Sequence, residues 1–109
     1  MNCKAVCHIY SGRPDPGWEL TDKQAKEALR IWNSLKVTSF REGFPSFLGY
    51  RGISITCEDG RQFFAYNEKA RAEINNIITW KLDESRVFEK FLISTAPQGM
   101  LPQGFSADL

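Results

Sequence analysis

Between Ser11 and Thr21 the chain reads Ser-Gly-Arg-Pro-Asp-Pro-Gly-Trp-Glu-Leu-Thr. Two glycines and two prolines hold the backbone to a sharply turned path, and Trp18 asks for burial. Whatever precedes this stretch must therefore meet whatever follows it at a fixed angle.

An alternating segment precedes it. Cys3, Ala5, Cys7 and Ile9 interleave with Lys4, Val6, His8 and Tyr10, the period of a half-buried strand whose first set faces the core. A helix follows. Thr21 and Gln24 have the spacing of a capping box, Leu20 precedes the cap as a staple, and Ala25, Ala28, Leu29, Trp32 and Leu35 recur on one helical face.

From Lys36 to Tyr50 no period holds, and an irregular connection is expected there. Its phenylalanines Phe40, Phe44 and Phe47 should not stand in water, so the segment should line a pocket, a lid or an interface. From Gly52 to Tyr66 two strand-like runs flank Asp59-Gly60, the favoured centre of a two-residue type I′ hairpin. That turn sets Ile55 opposite Phe64 and Ile53 opposite Tyr66, with all four on the core face and Ser54, Thr56, Phe63 and Ala65 on the other.

Residues 67–75 read as a short helix or a loop, and Ile77 to Leu82 as a strand. A continuous helix from Glu68 to Leu82 is the rival reading. Asp83 or Ser85 then caps a second helix with the stripe Val87, Phe88, Phe91, Leu92 and Thr95, ending before Pro97. The expected fold class is α+β: a mainly antiparallel sheet of three to four strands with two helices on one face, in the order β-α-β-β-β-α. Residues 1–96 form the single domain, and 97–109 an extended C-terminal tail.

A net charge of +1 disfavours nucleic acid and anionic membranes as partners. No apolar run reaches membrane-spanning length, and the N-terminus lacks a secretory pattern, so a cytoplasmic protein is expected. Three cysteines without an export signal suggest reduced thiols rather than a disulfide framework. On a strand, Cys3 and Cys7 stand about 13 Å apart, too far to share a zinc ion or a disulfide. They read as buried structural residues, with Cys57 near the hairpin tip as the most accessible thiol.

The segment Ser11-Gly12-Arg13-Pro14-Asp15-Pro16-Gly17-Trp18-Glu19-Leu20 resembles that of a small family of bacterial proteins without an assigned function. Its members carry Ser-Gly-Arg-Pro-x-Pro-x-Trp-x-Leu after a first strand. The likeness extends more loosely to residues 48–52 and 88–92. It implies the layout above, and no reaction, cofactor or catalytic residue.

No catalytic, metal or nucleotide motif stands out, which sets a non-catalytic role ahead of an enzymatic one, with no metal and no cofactor. His8 is the only histidine, and a carboxylate could reach it from Asp15 or Glu19. Arg13 could grip an anion, with Arg51 at the mouth of the hairpin, or fasten its own loop. Trp18 serves best as a plug at the strand-helix junction.

Three roles remain. The first is a binding or protein-interaction domain, contacting a partner or a second copy through a sheet edge or the Phe40, Phe44 and Phe47 segment. The second is a small-molecule binder or small enzyme with a pocket between the 11–18 loop and the 50–66 hairpin, lined by His8, Arg13, Trp18 and Arg51. The third is weak nucleic-acid binding through sheet aromatics such as Phe63 and Tyr66.

Overall fold

The computed structural model describes residues 2–10, 12–39 and 50–102. Strands β1 (Cys3–Cys7), β2 (Gly17–Glu19), β3 (Lys36–Thr38), β4 (Ile53–Cys57), β5 (Gln62–Tyr66), β6 (Lys69–Ile74) and β7 (Ile77–Leu82) form one sheet. Its order is β2-β1-β4-β5-β6-β7-β3, and every described pair is antiparallel. Helices α1 (Asp22–Ser34) and α2 (Val87–Ser94) cover one face of it.

The α+β class holds, but the sheet has seven strands where three to four were expected. Two of the extra strands, β2 and β3, are three residues each, too short to show a period. Strand β3 also overturns the reading of the chain after Lys36 as irregular from its first residue. A further strand, β6, replaces the helix or loop expected over 67–75, and with β7 it rules out the continuous helix. Both ends of β6 are two-residue turns with positive φ: Asn67 and Glu68 at 50° and 70°, Asn75 and Asn76 at 53° and 66°. These are the φ signs of type I′ turns, each opened by an Asn.

The Asp59-Gly60 hairpin has a different register. Cys57 stands across from Arg61, with Glu58, Asp59 and Gly60 as a three-residue loop and Gly60 at φ 92°. Ile55 therefore faces Phe63, and Ile53 faces Ala65. A shift of one residue turns a whole strand over. Phe63 and Ala65 are core, whereas Phe64 and Tyr66 lie on the helix-free face. Phe63, turned toward the helices, is thus withdrawn from any role in stacking on bases.

The core lies between the sheet and the two helices. Trp32 of α1 and Phe88 of α2 both pack their rings against Phe63, and Ile53, Ile55 and Leu92 complete the layer. Each such side chain contributes roughly 1.5–3 kcal/mol by burial. Thr21 and Gln24 form the expected capping box on α1, worth about 1 kcal/mol.

Helix α2 is started by Asp83, whose carboxylate accepts the amide protons of Phe88 and Glu89 across a 3₁₀ turn, Glu84–Arg86. Ser85 makes no cap. Val87, placed on the apolar stripe by its spacing, is exposed, while Glu89 is buried because Tyr50 and the amide of Asn67 satisfy its carboxylate.

Cys3 and Cys57 stand directly opposite each other on β1 and β4 and are joined by a disulfide, with Cα atoms 4.0 Å apart. This corrects the expectation of reduced thiols and of an accessible Cys57. Spacing along β1 separates Cys3 from Cys7, but a neighbouring strand brings in a partner at a cross-strand distance. Cys7 remains free and buried, its thiol pushed up to about 12 by burial and by the charges of Asp15 and Glu89. At the C-terminus, Met100 turns back to the carbonyl of Pro97, and Leu101 packs on the core, so the described start of the tail is not extended.

Candidate functional site

Strand β1 ends at Cys7, and His8 continues its alternation, so its side chain emerges on the helix-free face. The ring is fixed from three sides. Phe64 stacks on it with ring centroids 5.4 Å apart. Its Nε2 lies 2.9 Å from Ser54 Oγ, and its Nδ1 lies 3.4 Å from Asp15 Oδ2.

Asp15 gets there because Pro14 and Pro16 stiffen the loop that carries it back past the end of β1. Its Oδ1 accepts the backbone N–H of Ile9 at 2.9 Å and of Tyr10 at 2.7 Å. Its Oδ2 is left facing His8 and the guanidinium of Arg51, 3.6 Å away. Burial alone would push this carboxyl up. The two amide hydrogen bonds, with the charges of His8 and Arg51, outweigh it and hold the carboxyl below the ordinary aspartate range. The ionised carboxylate beside Nδ1 favours the proton on that nitrogen, which leaves Nε2 to accept from the Ser54 hydroxyl.

Ser54 sits in the middle of β4, between two apolar core residues, and points away from them. Beside it the sheet face opens into a depression of about 210 Å³, whose polar rim includes Thr56, Gln62, Arg71 and Glu73. His8 and Phe64 form its other wall.

The residues expected at a site are divided by the structure. His8 and Arg51 meet on Asp15. Arg51 also donates to the Tyr10 carbonyl at 3.0 Å and so closes the loop. Arg13 lies over the Tyr10 ring, 3.7 Å from its centroid, and fastens the loop rather than entering the depression. Trp18 is on the opposite face, buried, its Nε1 donating to Thr95 Oγ1 at 2.8 Å. Phe40, Phe44 and Phe47 lie outside the described residues.

Of the two carboxylates considered for His8, Asp15 is the one that reaches it; Glu19 pairs in register with Lys4. Ser54, Thr56 and Gln62 escaped the sequence reading because nothing placed their strand face beside His8. The three-residue loop ending in Gly60 brings Gln62 and Phe64 onto the face of Ser54, and the pairing of β1 with β4 sets that face beside His8.

No protein-family model, curated protein or solved structure matches the chain. The chemistry of the site therefore rests on its own geometry. Among the described residues no three His, Cys, Asp or Glu side chains gather as a metal site, and no helix is long and apolar enough to cross a membrane.

Proposed function

We propose that this protein binds a small polar molecule on the helix-free face of its sheet, between the loop of Asp15 and the β4–β5 hairpin. The observation that carries the reading is that His8 and Ser54, which line a 210 Å³ depression, meet each other there while Asp15 holds the far side of the His8 ring. A histidine held between a carboxylate and a hydroxyl can accept or donate a proton to a bound group. Thr56 and Gln62 add donors and acceptors that fix orientation.

The test is an amide NMR screen of the full chain with small carboxylates, amides and esters as probes. Saturable shifts centred on His8, Ser54 and Gln62, reduced in Ser54→Ala, support the site. Shifts confined to other surfaces count against it.

A second reading, a partner-binding or self-associating domain, draws on the sheet edge. Val37 on β3 and Ile77 on β7 are 72% and 67% exposed, and Ile78, which follows Ile77 on β7, is exposed too. Apolar side chains along an edge suit pairing with another chain. A monomer by light scattering at every concentration removes the self-associating form of this reading.

Kinship with the bacterial Ser-Gly-Arg-Pro-x-Pro-x-Trp-x-Leu proteins is proposed on the segment's own residues; Asp15, which shapes the site, stands at one of its variable positions. A cytoplasmic location is proposed as well, against which the Cys3–Cys57 bond pulls, because structural disulfides persist in oxidising compartments. Thiol trapping in intact cells decides between them.

A further inference from the structure

We infer that Ser54 is a nucleophile toward small esters, with His8 as its general base and Asp15 as the residue that positions the imidazole. The inference rests on the site proposed above and assigns it a chemistry. Ser54 Oγ, His8 Nε2, His8 Nδ1 and Asp15 Oδ2 follow one another at 2.9 Å and 3.4 Å, in the order that removes a serine proton. The imidazole is stacked on Phe64, so its plane is set before a substrate arrives. The carboxylate is anchored through its other oxygen by two backbone amides, which leaves Oδ2 for the histidine.

The reaction balances with water as the only co-reactant. Ser54 Oγ forms a bond to the acyl carbon while its proton passes to His8 Nε2. The ester C–O bond then breaks, and the alcohol leaves with that proton. Water next attacks the acyl-serine, giving a proton to Nε2; the bond to Oγ breaks, and Oγ takes the proton back. The net change is ester plus water to acid plus alcohol.

Strand β4 is paired on both sides, with β1 and β5, so its backbone amides are engaged in the ladder. Stabilisation of the oxyanion falls to side chains at the rim such as Thr56 and Gln62. Loss of a preorganised donor costs about 100- to 1,000-fold in rate. Slow turnover is therefore expected; with an activated ester, whose leaving group departs readily, acylation outruns deacylation and the acyl-serine accumulates.

The experiment treats the full-length protein with p-nitrophenyl acetate, following nitrophenol release and the intact mass, with peptide mapping of the label. Support is one acetyl group on Ser54, absent from Ser54→Ala. His8→Gln should slow acylation by about 100-fold or more. Asp15→Asn should slow it and change the pH profile, which a merely structural role would not do.

Acetylation that is unchanged in Ser54→Ala, or a folded protein that is not acetylated at Ser54 at any pH, overturns the inference. The amide spectrum of the same samples separates the two levels. Probe-induced shifts at His8 and Gln62 without acylation leave the binding site standing and remove the nucleophile; silence in both removes both.

Discussion

His8 and Phe64 lie nearly parallel, with 16° between their ring planes, although they come from strands separated by β4. The stack turns one edge of the imidazole to Ser54 and the other toward Asp15. Phe64→Leu keeps apolar bulk but removes the flat face. An aromatic pair of this kind contributes about 1 kcal/mol, so probe affinity at His8 should fall roughly fivefold. The same NMR titration measures it, and an unchanged affinity would show that the stack does not orient the ring.

Gly52 lies just before β4, with φ at 113°. A Cβ there would come within 2.6 Å of Phe64 Cε1 and 2.7 Å of the Ala65 carbonyl oxygen. The second contact is backbone and cannot turn aside. Gly52→Ala is expected to lose about 2–4 kcal/mol in urea unfolding and to displace Phe64 from His8.

Lys81 is buried on β7, with its Nζ 2.9 Å from the carbonyl oxygen of Trp32 near the end of α1 and 4.5 Å from the Trp32 ring centroid. A cation at a helix C-terminus meets the negative end of the dipole, and this one also joins the helix to the far side of the sheet. Burial pushes the ammonium below the ordinary lysine range. Lys81→Ala should cost about 1–3 kcal/mol by chemical denaturation, and Lys81→Met less, because the methionine keeps the apolar stem.

Burial pushes the Glu89 carboxyl above the ordinary glutamate range, although the Tyr50 hydroxyl, the Asn67 amide and Arg86 work against it. A carboxyl raised in this way holds its proton more tightly folded than unfolded. Its contribution to stability is complete below the unfolded value, about 4.3 for glutamate, and is lost as pH rises through the raised folded value. Glu89→Gln fixes the neutral form: its carbonyl oxygen can accept from the Asn67 amide, and its NH2 group then donates to the Tyr50 oxygen, reversing that bond. Followed between about pH 4 and about pH 8, its stability relative to the parent protein should rise with pH until the folded Glu89 carboxyl is ionised, and then level off. Thermal melts across that range check it, and a flat difference would contradict it. Asp15, whose carboxyl is lowered, contributes in the opposite direction and cancels in the comparison.

Local chemistry made parts of the fold legible. The Thr21–Gln24 box and the alternation of Cys3 to Cys7 depend only on near neighbours, and both stand where the residues put them. The face of β5 depended on whether the turn after Cys57 holds two residues or three, a difference that exchanges Phe63 with Phe64. Sequence patterns are silent on such a choice when both residues are phenylalanine. The bond between Cys3 and Cys57 and the approach of Ser54 to His8 are cross-strand facts that exist only once β1 and β4 are paired. Asp15 could be suspected near His8 from the stiff loop between them, whereas its hold on the Ile9 and Tyr10 amides could not.

The state of the His8 ring tests the account most directly. Nitrogen-15 NMR of the imidazole reports which nitrogen carries the proton in the neutral form. The predicted result is a proton held on Nδ1 beside Asp15 and an accepting Nε2 beside Ser54, with this preference lost in Asp15→Asn and the Nε2 signal moved in Ser54→Ala. An imidazole that averages between tautomers like an unrestrained side chain, indifferent to both substitutions, would contradict it.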